Sequence, residues 1–257
     1  MYPWIIEFPS LEDPRNGIKV RHVISGNDGD VCISCVTHSI LSKRTNEKLR
    51  CLDIGVDEGW WTYFILDHFP NAVLDLFEPN PESYTHILPY VEDDPRVTLH
   101  NIALSDTVGF LPFTKQQGQS HSRCSENPEL YVPCERIDRY IGDSIIDLIK
   151  IDTEGHDLII LKTLYPYLHR INAIIFECTT YWNGTDKIDC ISKTIEVLEH
   201  LKQEYQYMYM LSRRNAPSLT EFIDLQDIED FALSHYESLC QVDIVVSRDP
   251  ISLSNLL

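Results

Sequence analysis

Three times in this chain an apolar run of strand length ends in a carboxylate beside a turn rich in glycine or proline. The first is Leu49-Arg50-Cys51-Leu52-Asp53-Ile54-Gly55-Val56-Asp57-Glu58-Gly59, and the second is Val73-Leu74-Asp75-Leu76-Phe77-Glu78-Pro79. Asp147-Leu148-Ile149-Lys150-Ile151-Asp152-Thr153-Glu154-Gly155-His156-Asp157 is the third. Continuous apolar runs of this length suit parallel strands buried on both faces. Ligands of open α/β sheets bind just beyond the C-terminal ends of such strands. Three strand-end acids therefore predict one pocket, with Asp152 and Glu154 standing where chemistry is done.

From Leu49 onward strands and helices alternate, the pattern of a parallel sheet with helices on both faces. Strands are expected near 49–54, 73–78, 97–103, 146–151, 173–178, 206–211 and 241–247. Helices are expected over 60–69, 82–91, 158–168 and 188–201. The predicted fold is α/β and Rossmann-like: a seven-stranded, mostly parallel sheet whose last strand inserts antiparallel. Asn80 before Pro81 is an N-cap followed by an N1 proline, which starts the second helix. Residues 1–48, punctuated by Pro and Gly as far as Asp30 and helical from about Ser34, form an N-terminal cap segment on a domain spanning 49–257. The stretch from Thr107 to Pro133 breaks the pattern. A hairpin at Gly109–Lys115 leads into polar Gln116–Arg123, which reads as a lid, a binding loop or a disordered segment.

Charge narrows the partners. The formal net charge is −19, and adjacent basic residues are confined to pairs such as Arg213-Arg214. Phosphate binding depends on clustered Lys and Arg, so nucleic acid and anionic membranes are disfavoured. Met1–Glu7 has no basic n-region followed by a long apolar stretch, and nowhere do eighteen apolar residues run together, which predicts a cytoplasmic protein. Its eight cysteines lack framework spacing and read as reduced, buried small hydrophobes. Cys32-Ile33-Ser34-Cys35 finds no second pair with zinc-site spacing. Oligomeric state is not legible.

The first turn follows a strand and opens a helix, so its backbone can approach a ligand and offer N–H groups. It lacks the G-x-G-x-x-G spacing of a dinucleotide fingerprint, and Asp53, Asp57 and Glu58 would repel a pyrophosphate. A cationic ligand would not be repelled. Glu78 lies about twenty residues past the glycine turn, where an acid can accept both hydroxyls of a ribose. S-adenosylmethionine (SAM) has an unmodified ribose diol, a cationic centre and no pyrophosphate.

Asp53-Ile54-Gly55 to Gly59-Trp60-Trp61-Thr62, Phe77-Glu78-Pro79-Asn80-Pro81, His100-Asn101-Ile102-Ala103-Leu104-Ser105-Asp106 and Lys150-Ile151-Asp152-Thr153-Glu154-Gly155-His156-Asp157 occur in the order of the motifs of the FkbM family of SAM-dependent methyltransferases. The chain resembles that family from about Leu49 to Cys178, most specifically in the last motif. The resemblance implies a class I methyltransferase fold. It also implies that Asp53, Gly55 and Gly59 line the methionine end of the cofactor, that Glu78 holds the ribose, and that Asn101 and Ala103 face the adenine. Asp152 would stand beside the sulfonium and the acceptor. Val56 and Asp57 depart from the family's usual Ala-Asn pair, which leaves the part played by Asp57 open.

Methyl transfer from a sulfonium is an in-line displacement that needs alignment and exclusion of water, and an alcohol acceptor must also lose its proton. Asp152 is the first candidate base because it ends the central strand. His121 is the second, since its loop could close over the pocket, although a solvated loop histidine fits the same position. Glu154 reads either as a catalytic carboxylate or as an acid stabilised at a helix N-terminus. His156 and Asp157 are expected only to begin that helix. Asp152, Glu154 and Glu177 could together offer oxygen ligands to Mg²⁺, but Cys178 follows where a second hard ligand would be wanted, so metal dependence is not favoured. Trp60 and Trp61 read as core, whereas Tyr181 and Trp182 follow a strand end and are better placed to face an acceptor.

These readings converge on a SAM-dependent O-methyltransferase acting on a hydroxyl of a sugar, glycan or other polar small molecule. The alternatives are an N- or RNA-directed methyltransferase, or an inactive methyltransferase fold serving as a binding or scaffold module.

Overall fold

The computed structural model describes residues 6–7, 11–13, 18–20, 23–24, 29–44, 48–115, 122–124, 128–178, 187–212, 218–238 and 242–251. Near the N-terminus, β1 (Ile6–Glu7) pairs with β4 (Val23–Ile24), and β2 (Leu11–Asp13) pairs with β3 (Ile18–Val20). Helix α1 (Gly29–Leu41) follows, and then the alternating units begin: β5 (Leu49–Ile54), α2 (Trp60–His68), β6 (Ala72–Phe77), α3 (Pro81–Val91) and β7 (Val97–His100). Short strands β8 (Ala103–Ser105), β9 (Gly109–Lys115), β10 (Ser122–Cys124) and β11 (Leu130–Arg136) come next. After them are α4 (Asp138–Ile141), β12 (Leu148–Ile151), α5 (Asp157–Leu164), β13 (Ala173–Cys178), α6 (Lys187–Glu204), β14 (Tyr207–Ser212), β15 (Ser218–Glu221), α7 (Leu225–Ser238) and β16 (Val242–Ser247).

The main sheet has the order β15-β14-β16-β13-β12-β5-β6-β7. Strands β13, β12, β5, β6 and β7 run parallel, and β16 lies antiparallel between β13 and β14. The seven expected strands are thus present, with the last one inverted as predicted. An eighth, β15, extends the edge through antiparallel pairing with β14. Its sequence, Ser-Leu-Thr-Glu, has neither a run nor an alternation long enough to announce a strand; pairing with its neighbour makes it one. The expected strand over 97–103 stops at His100. Asn101 turns the chain there by donating from Nδ2 to the Glu78 carbonyl at 2.8 Å, and Ala103–Ser105 joins a second sheet of order β10-β9-β11-β8. The expected hairpin over Gly109–Lys115 is instead the single strand β9, which pairs antiparallel with β10 and β11.

Central strands are apolar on both faces because both faces are covered. Ile33, Val36 and Leu41 of α1, Trp61 and Ile65 of α2, and Ile87 of α3 share one apolar layer with Leu49, Cys51 and Leu148. On the other face Ile160 and Leu164 of α5, Leu198 of α6 and Ile228 of α7 pack with Leu52, Ile149 and Ile151. Trp61 is a core residue, as expected, and its indole N–H donates to Thr37 Oγ1 at 2.9 Å. Cys35, Cys51, Cys134 and Cys178 are buried free thiols. Along β12 the alternation puts Leu148 and Lys150 on the α1–α2 face, so a lysine enters that apolar layer at the level of Asp53. No helix among the described residues is long and apolar enough to cross a membrane.

Candidate active site

Chain order leaves β5 toward β6 and β7, then returns on the other side of β5 to β12. A crevice at the C-terminal ends of β5 and β12 follows from that reversal, and such a switch point is where doubly wound sheets bind ligands. Asp53 near the end of β5, Glu78 just past β6 and Asp152 just past β12 all lie there.

The first turn is built around three left-handed residues, Gly55 (φ 84°), Asp57 (φ 48°) and Gly59 (φ 81°). A Cβ on Gly55 would lie 1.9 Å from the Asp152 carbonyl oxygen, so this turn presses directly on the exit of β12. Asp57 acts here through its backbone: its N–H donates to Glu78 Oε2 at 2.8 Å, while the Asn80 N–H donates to Oε1 at 2.7 Å. Glu78 is 4% exposed. Burial pushes its carboxyl up to about 7 against those two donors, and Asp57 and Asp53 add to the rise. Asn101, by donating to the Glu78 carbonyl, fixes the same residue from the β7 side, and half-buried Ala103 begins β8 beyond it.

Asp53 is 1% exposed. Its Oδ2 accepts from the Thr62 hydroxyl at 2.8 Å, and its Oδ1 has no hydrogen bond among the described residues, facing only the Lys150 ammonium at 3.6 Å. The same ammonium lies 3.4 Å from Asp152 Oδ2. Burial works against the charge on Lys150, but Asp152 and Asp53 outweigh it and hold the ammonium above its ordinary value. Beyond β12, Glu154 takes a left-handed conformation (φ 55°), and one carboxylate oxygen from each of Asp152, Glu154 and Glu177 falls within 4.8 Å of the others. Glu177 reaches the cluster because β13 runs beside β12, and its register partner on β16 is Asp243. Sequence reasoning did not find Asp243, whose strand lies far along the chain, or the role of Lys150, which reads as one polar residue inside an apolar strand.

Asp157 does more than begin α5. It is 2% exposed and accepts from the Thr153 N–H (3.3 Å), the Thr153 hydroxyl (3.0 Å) and the Gly155 N–H (3.1 Å), clasping the loop that carries Glu154. Desolvation, with Asp152 adding to it, pushes its carboxyl up to about 7. His156 also has a task. Its Nε2 lies 3.0 Å from Ser105 Oγ, tying the loop to β8, and burial lowers its pKa despite Asp106. A carboxylate two residues past the glycine, at a helix start, is the signal that could have flagged the clasp. His121, Tyr181 and Trp182 lie outside the described residues.

The site fits a cationic nucleoside on three observations. Glu78 is buried with one backbone donor on each oxygen and a lone pair left on each. Asp53 Oδ1 is buried without a hydrogen bond. The Gly55 turn leaves no room for a side chain at β12. The fold and these strand-end acids define a nucleoside-binding α/β protein of the methyltransferase type. The family model described as Methyltransferase FkbM domain matches residues 53–209, more than half of the chain, and the chain belongs to that family. It is a SAM-dependent methyltransferase. No curated protein matches it in sequence.

Among solved structures the chain is similar to a probable spermidine synthase from Corynebacterium glutamicum, at 10% identity and TM-score 0.47, with 88% of this chain and 66% of that one covered. It thus spans just under two thirds of that protein. It is similar to the plantazolicin methyltransferase BpumL in complex with SAH, at 10% identity and TM-score 0.46, covering 86% and 84%. A putative rRNA-methylase from Clostridium thermocellum matches at 13% identity and TM-score 0.46, covering 84% and 95%.

Proposed function

We propose that this chain transfers a methyl group to a hydroxyl of a sugar, glycan or other polar small molecule, with Asp152 as general base. The observation that carries the reading is the clustering of Asp152, Glu154 and Glu177 at the exit of β12, beside the Gly55 turn. Concentrated negative charge there favours uptake of an alcohol's proton and disfavours a polyanionic acceptor, in keeping with the net charge of −19.

In this reading Asp53, Gly55, Asp57 and Gly59 cradle the methionine end, Glu78 holds the ribose hydroxyls, and Asn101 and Ala103 border the adenine. SAM supplies the activated methyl group. Asp152 receives the acceptor's proton at its carboxylate, and Glu154 orients the hydroxyl. His121, the second candidate base, lies outside the described residues. Lys150 already lies 3.4 Å from Asp152 Oδ2, so a divalent cation drawing on Asp152 would have to share that carboxylate, and the proposed step uses no metal. Residues 49–257 form the catalytic unit, 1–48 its cap, and the protein works in the cytoplasm.

The test is incubation of the purified chain with methyl-labelled SAM and parallel panels of saccharides, polyols, amines and transfer RNA, with and without EDTA. Label on a hydroxyl, lost in Asp152→Asn, supports the proposal. Label on nitrogen or on RNA overturns the acceptor class. Retention of the cellular role by Asp152→Asn would favour a scaffold.

A further inference from the structure

Under the two acids assigned to donor and acceptor lies one buried ammonium. Lys150 is the third residue of β12, and its side chain is 4% exposed. In the sheet register it stands opposite Asp53 of β5. Its Nζ lies 3.6 Å from Asp53 Oδ1 and 3.4 Å from Asp152 Oδ2, and it donates to the Gly55 carbonyl at 3.4 Å. Of these three oxygens only the Gly55 carbonyl accepts a hydrogen bond from it; the two carboxylate oxygens face the ammonium as ion pairs. The Trp60 ring, with its centroid 5.8 Å away, covers it from α2.

We propose that Lys150 is a positioning residue that limits how strongly the site prefers the cationic sulfonium donor over its neutral thioether product, by offsetting negative charge that Asp53 and Asp152 present to the cofactor. The proposal rests on the cofactor placement given above. Methyl transfer removes one positive charge from the bound cofactor, so carboxylates near the sulfonium stabilise the ground state more than the transition state and would slow the step. A fixed ammonium between them reduces that bias and keeps Asp152 in one place at the exit of β12. Sequence neighbours cannot do this, because Asp53 and Lys150 meet only through the β5–β12 register.

Calorimetric titration with SAM and with S-adenosylhomocysteine tests the idea without an acceptor. In Lys150→Met the ratio of thioether to sulfonium dissociation constants should rise about tenfold, and should climb further as pH is raised from 6 to 9. Lys150→Arg keeps the charge and should keep the wild-type ratio even if both affinities drop. Asp152→Asn should move the ratio the opposite way. Equal loss of both ligands in Lys150→Met, with the ratio unchanged, would mean a purely structural lysine and overturn the proposal. If Lys150→Met does not fold, an unchanged ratio in Asp152→Asn overturns it instead. Folded wild-type protein that binds neither nucleoside defeats the cofactor placement itself, a separate and recognisable result.

Discussion

The backbone N–H of Asp57 donates to Glu78 Oε2 at 2.8 Å, so the turn after one strand holds the acid at the end of the next. Asp57 is left-handed there, and the bond makes no use of its carboxylate. A short polar side chain tolerates that conformation, and the main chain supplies the donor.

Asp57→Gly should therefore bind S-adenosylhomocysteine within about threefold of wild type, since glycine adopts positive φ freely. Asp57→Val should cost about 1–3 kcal/mol of stability and weaken binding, because a β-branched residue is strained there. Thermal melts and calorimetry on both variants check the pair, and a stronger loss in Asp57→Gly than in Asp57→Val would contradict it.

Glu78, pushed up to about 7 by burial, is partly protonated near neutrality. Ribose hydroxyls donate to the ionised form and favour it, so binding the cofactor product should release protons, and affinity should fall as pH drops from 8 to 6. Titrations in two buffers of different ionisation enthalpy measure the proton directly. Glu78→Gln should abolish both the release and the slope.

Gly55→Ala introduces a Cβ 1.9 Å from the Asp152 carbonyl oxygen at a φ of 84°. The backbones of two neighbouring strand ends must part, at a cost of about 3 kcal/mol or more. We expect a lowered Tm together with lost cofactor binding; a melt unchanged from wild type would show that the turn can move away.

Asp157 is raised from an ordinary carboxyl value to about 7, chiefly by desolvation. Between about pH 4 and 7 the folded state keeps a proton that the unfolded chain has released, so this group makes stability fall as pH rises. Asp157→Asn removes that term while keeping one clasp acceptor. Relative to wild type it should gain about 2–4 kcal/mol on going from pH 5 to pH 8, as read from urea unfolding at the two pH values.

Strand-end acids were legible because burial on both faces forces a continuous apolar run, against which a carboxylate at its end stands out. Glu78 and Asp152 lie just past their strands and Asp53 is the last residue but one of β5, and the turns of Gly55 and Gly155 announce themselves by composition. The inverted last strand was legible as a β-run left over after the parallel units. The β15 edge was not, since four residues carry no periodicity, and neither was the break at Asn101, where a side chain takes over the role of a ladder.

By itself the amino-acid sequence determined the alternation of strands and helices, the sites where acids leave the sheet, and through them a methyltransferase of this family, because hydrophobic periodicity and turn chemistry act over a few residues. The grouping of Asp152, Glu154 and Glu177 was expected from the sequence, and only the tertiary structure decided which further charges stand beside such acids. Lys150 meets Asp53 across one register and Glu177 stands by Asp243 across another. Asp57 reaches Glu78 because β5 and β6 lie side by side. Register is a property of pairs of strands, fixed when two apolar layers close on one sheet, and no local stretch of chain contains it.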